Sequence, residues 1–276
     1  MGGLTVLKAL ECSLPGQRFV YLGDTARLPY GTKSSTTVSR YAQQAADQLV
    51  ARGVKMLVVA CNTASAVALD DLRRHFEPLP VIGVVQPGAE AACRASRSGV
   101  IAVLGTESTI AGGAYQAAIA RLRPDARVHA AATPLFVALA EEGWTDGEVT
   151  RAAARRYLEP VLLGIEGEWP DCLVLGCTHF PVLAAAIGAM AGDLLRTQAR
   201  AIEDVDVVIV DSADTTASHV HHELSARGLL RRSTEGSGPA GRARLLATDA
   251  AQRFARVGTV FLGRPLVADD VELIDL

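Results

Sequence analysis

Short apolar runs alternate along this chain with longer segments whose apolar residues recur at helical spacing. Met56–Val59 and Leu173–Leu175 are two such runs, and they predict buried parallel strands. Leu4, Leu7 and Leu10 fall on one face of a predicted helix over residues 2–13. The same pattern predicts further strands at 18–22, 54–60, 81–85, 100–104, 127–131, 171–176 and 207–210, further helices at 35–52, 64–75, 87–97, 108–123, 134–142, 146–164 and 181–191, a helix ending at Gly228, and a last strand and helix near 243–257.

This regular alternation of strand and helix predicts an α/β fold with mostly parallel sheets flanked by helices. The predicted strands fall into two groups, before and after about residue 86, so we expect two lobes. Residues 1–85 together with 206–276 would form the first lobe, and residues 86–205 the second. The Ser/Gly-rich residues 233–242 predict a flexible connection.

The start of the chain departs from this pattern, because its first helix has no predicted strand before it. In a doubly wound lobe the first strand usually lies in the middle of the sheet. We therefore expect a gap with unpaired strand edges in the sheet of the first lobe.

Two cysteines occupy equivalent places in the pattern, each directly after a predicted strand. Cys61 precedes an Ala-rich helix for which Thr63 is expected to supply a hydroxyl cap. Cys177 follows the second strand, and it too has a threonine within two residues, Thr178. Ligands of open α/β sheets bind at this end of the strands. The repetition predicts two half-sites that face one ligand.

Composition narrows the class of protein. The chain has 276 residues, is 49% hydrophobic and carries a formal net charge of −3, which favours one or two globular domains and no nucleic-acid partner. No apolar run approaches the length of a membrane span, and no secretion signal is visible. Five cysteines without close pairs argue against a disulfide framework and favour a reducing cytoplasm.

A pair of thiols suits the transfer of a proton to and from carbon. A free thiol has a pKa of about 8.5, so near neutral pH it can take up a proton and return it. Two thiols on opposite sides of a tetrahedral carbon would allow racemisation, with His179, Asp24 and Glu141 as assisting groups. Backbone N–H groups of Asn62, Thr63 and Thr178 could stabilise the carbanion's carboxylate. No pyridoxal-lysine or metal signature is apparent, so no cofactor is expected.

Six motifs in one order resemble bacterial glutamate racemases, which belong to the aspartate/glutamate racemase superfamily. They span nearly the whole chain and comprise Gly2-Gly3-Leu4-Thr5-Val6, Tyr21-Leu22-Gly23-Asp24-Thr25, Pro29-Tyr30-Gly31, Ala60-Cys61-Asn62-Thr63-Ala64, Gly176-Cys177-Thr178-His179-Phe180-Pro181 and Val210-Asp211-Ser212-Ala213.

The resemblance implies two pseudo-symmetric α/β lobes with the active site between them. It implies that Cys61 and Cys177 are the two bases and that Asp24, Glu141 and His179 assist them. It also implies a cytoplasmic enzyme that makes D-glutamate for peptidoglycan without a cofactor, with a homodimer as one expected assembly. The substrate-binding residues it implies are Pro29, Tyr30, Gly31, Asn62, Thr63, Thr178 and His179.

The chain departs from the family at its start. Family members carry a short strand and Phe-Asp-Ser-Gly before the position of Met1, and that Asp and Ser serve catalysis and binding. Either a GTG valine codon has been taken as a start and the natural protein is longer, or the chain is truncated and impaired. The chain as written is expected to have little racemase activity.

Three alternatives to these assignments stay open. The chain could act on another acidic substrate, or it could be a hydrolase with Cys177 as nucleophile and His179 as base. It could also be a non-enzymatic interaction protein on the same fold. Glu141 is favoured over the adjacent Glu142 by the family pattern alone.

Overall fold

The computed structural model describes residues 1–163, 169–198, 207–231 and 243–276. They form α1 (Gly3–Ser13), β1 (Val20–Gly23), α2 (Ser35–Val50), β2 (Leu57–Val59), α3 (Asn62–His75), β3 (Val81–Gly83), α4 (Val85–Ala95), β4 (Val100–Gly105), α5 (Glu107–Ala111), α6 (Ala114–Leu122), β5 (Arg127–Ala132), α7 (Leu135–Glu141), α8 (Glu148–Leu163), β6 (Cys172–Gly176), α9 (Ala184–Gln198), β7 (Val208–Asp211), α10 (Ser212–Ala226), β8 (Arg244–Ala247), α11 (Ala251–Leu262) and β9 (Val271–Leu273). Short 3-10 helices cover Thr25–Arg27, Tyr30–Thr32, Phe180–Leu183 and Ala268–Asp270.

The chain divides into two compact units. Unit 1 contains Met1–Val84 and Ala213–Leu276, and unit 2 contains Val85–Ser212. All strand pairs among the described residues are parallel, so the predicted α/β class is confirmed. The predicted lobe boundary at 205/206 and the Ser/Gly-rich connection at 233–242 fall at or within stretches outside the described residues.

The strands of unit 1 that the structure describes form two separate sheets. One has the order β1-β8-β9 and the other contains β2 and β3, so the expected interruption of this lobe's sheet is present. The start of α1 packs closely against both sheets at Gly3. A Cβ at this position would lie only 2.9 Å from the Ala60 carbonyl, which follows β2, and 3.3 Å from the Tyr21 ring in β1. Helices α2 and α3 bury their apolar faces together with Leu57 and Val81.

The described strands of unit 2 form a four-stranded sheet with the order β5-β4-β6-β7. The central strands β4 and β6 are buried along their whole length, which explains their unbroken apolar sequence. Helices α4 and α6 cover one face through residues that include Ala89 and Ile119. The pairing sets Gly105 beside Gly176, so the carboxyl ends of β4 and β6 are level.

One described stretch, Phe180–Thr197, is long and apolar enough by composition to cross a membrane. Its side chains Ile187, Ala191 and Leu195 are fully buried inside unit 2. These three residues therefore belong to the core of a folded unit.

Three local predictions differ from the structure. The helix after β2 begins at Asn62 with Cys61 as its N-cap residue, so the Thr63 cap was wrong. The helix predicted from residue 181 begins with a 3-10 turn, and α9 proper starts at Ala184. Strand β9 was not predicted, because Val271–Leu273 is short and two of its three residues are exposed.

Gly176 allows a test of the packing beneath the Cys177 turn. A Cβ at this position would lie 2.7 Å from the Leu104 carbonyl and 3.0 Å from the Tyr115 ring. Gly176→Ala should therefore lower the free energy of unfolding by about 1–3 kcal/mol, the usual cost of overpacking. Denaturant titration would measure this.

Gly188→Ala is the matched control. Gly188 lies inside α9, and a Cβ there would lie at an ordinary 3.6 Å from Ile209. This substitution should raise the free energy of unfolding by roughly 0.5–1 kcal/mol through helix propensity. Equal effects of the two substitutions would contradict the packing described for Gly176.

Candidate active site

Cys61 lies at the turn from β2 into α3 in unit 1. Its carbonyl accepts the first hydrogen bond of the helix, from the Ser65 N–H at 2.8 Å. The Ser65 hydroxyl donates to the Val59 carbonyl at 2.8 Å and accepts from the Val84 N–H at 3.2 Å. These bonds tie the Cys61 turn to the ends of β2 and β3, so the position of the thiol is set by backbone structure.

The electrostatic environment of Cys61 combines burial with nearby donors. Burial raises the pKa of the Cys61 thiol, while hydrogen bonds from the Ala64 N–H and from the N–H and hydroxyl of Thr63 oppose the shift. Unpaired N–H groups in the first turn of a helix favour an anion in this way. The net direction is upward, so Cys61 is a thiol rather than a thiolate near neutral pH.

Tyr30 and Asp24 form a second group in unit 1. The Tyr30 hydroxyl donates to Asp24 Oδ2 at 2.5 Å, and Arg27 Nε lies 2.8 Å from the same oxygen. The Thr248 hydroxyl donates to Asp24 Oδ1 at 3.1 Å. Burial and Asp24 raise the pKa of Tyr30, and the charge of Cys61 contributes in the same direction.

Cys177 follows β6 in unit 2 and is joined to two further side chains. Its Sγ lies 3.7 Å from His179 Nδ1, and His179 Nε2 lies 3.2 Å from Glu141 Oε1 at the end of α7. The side chains of His179 and Glu141 are only 14% and 15% exposed. With the ring proton on Nε2, His179 donates to Glu141 and its Nδ1 is able to accept the proton of the Cys177 thiol.

The protonation of His179 follows from its surroundings. Burial lowers the pKa of His179, and the hydrogen bond and charge of Glu141 partly offset this effect. The imidazole is therefore neutral near neutral pH and can act as a proton acceptor. This contact agrees with the preference for Glu141 that the family pattern gave.

The remaining predicted binding residues lie close in sequence to these groups. Asn62 and Thr63 occupy the first turn of α3, and Thr178 directly follows Cys177, and all three are almost fully buried. The 3-10 helix Tyr30–Thr32, which contains Gly31 and follows Pro29, packs against α3. Unit 1 thus gathers the predicted residues up to Thr63, and unit 2 gathers Glu141, Cys177, Thr178 and His179.

Sequence patterns did not indicate two tyrosines beside the thiols. Tyr21 is half-buried near Cys61, and desolvation together with the Cys61 charge raises its pKa. Tyr115 is fully buried, its ring packs against the positions of Gly88 and Gly176, and burial with the charges of Cys177 and Asp211 raises its pKa. Tyr21 opens one of the six motifs, but neither tyrosine was assigned to the site, because both sit in ordinary strand and helix patterns and only the packing places them beside the thiols.

No group of three or more His, Cys, Asp or Glu side chains arranged to hold a metal ion occurs in the part of the chain that the structure describes.

The fold and these groups define a class: an α/β protein of two parallel-sheet units, each with a cysteine at the carboxyl end of a strand. The family model described as Asp/Glu/hydantoin racemase matches residues 5–220. A glutamate racemase of Geobacter metallireducens is 46% identical over 266 residues, which cover 96% of this chain and 91% of that relative.

Two solved structures are similar along nearly the whole chain. Glutamate racemase from Thermus thermophilus in complex with beta-chloro-D-alanine has a TM-score of 0.81 at 39% identity, covering 100% of this chain and 93% of its own. Glutamate racemase from Francisella tularensis in complex with D-glutamate has a TM-score of 0.83 at 30% identity, covering 99% and 93%. The chain belongs to the Asp/Glu/hydantoin racemase family.

The raised pKa of Cys61 gives a direct prediction. We expect the Cys61 thiolate to form at a higher pH in the folded chain than in the same chain unfolded in urea, because burial disfavours the charged sulfur. The rate of alkylation of Cys61 by iodoacetamide against pH, followed by mass spectrometry, gives both midpoints. A folded midpoint at or below the unfolded one would show that the donors from Thr63 and Ala64 outweigh burial.

Proposed function

We propose that the chain is a glutamate racemase in which Cys61 and Cys177 act as the two bases. Family membership makes it an isomerase of amino-acid type, and full-length relatives named glutamate racemase support glutamate as the substrate. The observation that carries the two-base assignment is that each unit places one cysteine just after the carboxyl end of a parallel strand, with N–H donors at Cys61 and the His179 imidazole at Cys177. D-Glutamate would then serve peptidoglycan synthesis in the cytoplasm.

In the proposed reaction one thiolate removes the α-proton, so the Cα–H bond breaks and an S–H bond forms. The other thiol then delivers its proton to the opposite face, so its S–H bond breaks and the new Cα–H bond forms. The planar carbanion carries charge into its carboxylate, which N–H groups of Asn62, Thr63 and Thr178 would stabilise. Each proton transfer by a correctly positioned acid or base raises the reaction rate by roughly 10²–10⁴-fold. Every step uses groups of this chain alone.

Different groups assist proton transfer at Cys177 and at Cys61. On the Cys177 side, the neutral imidazole of His179 is available for the thiol proton, and Glu141 stabilises the imidazolium that forms. On the Cys61 side, N–H and hydroxyl donors of Ala64 and Thr63 stabilise the thiolate directly. Asp24 assists this second half through the hydroxyl of Tyr30.

A hydrolase that uses Cys177 is the second candidate. Cys177 contacts His179, which in turn contacts Glu141. Such an arrangement also activates a cysteine nucleophile. Such an enzyme would need only Cys177 and would leave Cys61 without a chemical role. The cysteine variants below separate the two functions.

Exchange with solvent deuterium tests the racemase. Incubation of L- or D-glutamate in deuterated water should yield the opposite enantiomer with deuterium at the α-carbon, and long incubations detect slow turnover. Cys61→Ser and Cys177→Ser should each lower the rate of racemisation by roughly 10²-fold or more, because serine is far too weak an acid and base at neutral pH. Cys12→Ser is the control, since Cys12 is exposed in α1.

Two results would contradict the proposal. No α-deuterium in either enantiomer would exclude proton exchange at the α-carbon. A hydrolytic product whose formation survives Cys61→Ser would favour the hydrolase.

Glu141→Gln tests the assistance to Cys177. Loss of the carboxylate removes the group that raises the pKa of His179, so that pKa should fall further and kcat should drop by roughly 10²-fold. Histidine NMR and steady-state rates in both directions measure these effects. Glu142→Gln is the matched control, and an equal loss in both variants would argue against a specific role of Glu141.

Assembly and location are separate expectations. The homodimer stays a prediction, which sedimentation velocity would check. Fractionation of cells that express the full chain would check the cytoplasmic location.

A further inference from the structure

Asp24 is the centre of a hydrogen-bonded cluster in unit 1. Its side chain is only 7% exposed, and Arg27 Nε lies 2.8 Å from Oδ2. Tyr30 donates to the same oxygen at 2.5 Å, and Thr248 donates to Oδ1 at 3.1 Å. We refer to Asp24, Arg27, Tyr30 and Thr248 as the Asp24 clamp. A carboxylate with these three partners is bound as an acceptor on both of its oxygens.

Arg27 connects the clamp to helix α2. Its Nη1 donates to Gln44 Oε1 at 2.6 Å, and its guanidinium carbon lies 4.1 Å from the centre of the Tyr41 ring. The Tyr30 and Tyr41 rings are 6.1 Å apart. The positive charge of Arg27 is therefore held between a carboxylate and an aromatic face, which restricts the orientation of both tyrosines.

Thr248 connects the clamp to the end of β8. Its hydroxyl accepts from the Ala26 N–H at 2.9 Å and donates to Asp24, so its single proton and an acceptor position are both used. The Thr25 hydroxyl donates to the Asp249 carbonyl at 2.6 Å and accepts from the Asp249 N–H at 2.9 Å. The segments that follow β1 and β8 are thus joined side by side.

The clamp ends at the turn of Cys61. The 3-10 helix that begins at Tyr30 packs against α3, whose N-cap residue is Cys61. Tyr30 and Cys61 both pack against one buried apolar cluster, and the charge of Cys61 acts on the Tyr30 hydroxyl. A shift of the Tyr30 side chain would therefore change the packing around the Cys61 thiol.

We propose that Asp24, Arg27 and Thr248 are positioning residues that hold the Tyr30 hydroxyl, and with it residues 28–32, in the geometry that binds the substrate beside Cys61. This proposal rests on the proposed racemase function. Asp24 acts by accepting hydrogen bonds, so it neither takes nor gives a proton during turnover. Thr248, which directly follows β8, is the member of the clamp that comes from the C-terminal part of the chain.

The experiment compares Tyr30→Phe, Asp24→Asn, their double variant, Thr248→Val and Thr248→Ser. Steady-state rates give kcat and KM, and protection of Cys61 from iodoacetamide by glutamate gives a Kd that does not depend on turnover. Tyr30→Phe and Asp24→Asn should each raise KM and Kd roughly 10-fold, the effect of one charge-assisted hydrogen bond, with kcat changed much less. The KM and Kd of the double variant should not exceed those of the weaker-binding single variant, because the two residues act as one hydrogen-bonded unit.

The threonine variants test the connection to β8. Thr248→Val should raise KM and Kd in the same direction, and Thr248→Ser should restore them, because only the hydroxyl is needed. Thr197→Val is the matched control: Thr197 is exposed in α9, and its hydroxyl donates to the Asp193 carbonyl of its own helix. These milder variants decide the proposal if Asp24→Asn does not fold.

Two results would overturn the clamp. A large fall in kcat for Asp24→Asn with unchanged KM and an altered pH profile would make Asp24 a proton carrier itself. Strictly additive effects of Asp24→Asn and Tyr30→Phe would show that the two residues act independently.

A readout without substrate separates failure of the clamp from failure of the racemase. In the absence of glutamate, Cys61 should be alkylated faster in Asp24→Asn, Tyr30→Phe and Thr248→Val than in the unaltered chain, because the packing around the thiol loosens. Unchanged alkylation rates would overturn the clamp whether or not the chain racemises glutamate. Absence of α-deuterium in the unaltered chain would instead overturn the proposed function alone.

Discussion

The carboxyl end of a buried parallel strand is the constraint on which both cysteine sites depend. A strand that passes directly into a helix leaves the first N–H groups of that helix without helical partners, and they collect at the turn. At Cys61 these groups are the N–H donors of Thr63 and Ala64. At Cys177 the strand end is set even more tightly, since Gly176 leaves no room for a Cβ beside the Leu104 carbonyl. The backbone therefore determines where each sulfur lies before any side-chain chemistry is considered.

The two thiols have different surroundings, although their places in the fold are equivalent. Burial raises the pKa of Cys61, and the groups that oppose this shift include the hydrogen-bond donors of Ala64 and Thr63. Cys177 instead contacts an imidazole whose own pKa is lowered by burial and which is hydrogen-bonded to a carboxylate. In the proposed reaction each sulfur must serve as acid and as base. One half does so with fixed donors, and the other with a neighbouring proton acceptor.

Patterns in the sequence were sufficient for the α/β class, for most strands and for the turns that carry Cys61 and Cys177. These patterns failed for the start of helix α3 and for the direction of individual side chains. Thr63 was expected to cap α3, but the helix already begins at Asn62 and leaves Thr63 in the first turn. Only the family pattern favoured Glu141 over Glu142, because periodicity does not show which of two neighbouring helical positions points toward a given side chain. The end of α7 directs Glu141 to His179.

The sequence by itself determined which segments become strands and helices, because hydrophobic periodicity and turn residues act over a few positions. It also determined that a cysteine would end a strand twice. Only the tertiary structure decided what surrounds those cysteines. Asp24 and Thr248 are 224 positions apart, and they meet because β1 pairs with β8 in a register that sets Gly23 beside Ala247. Sheet register is a property of the whole unit, so no local pattern in the chain encodes that contact.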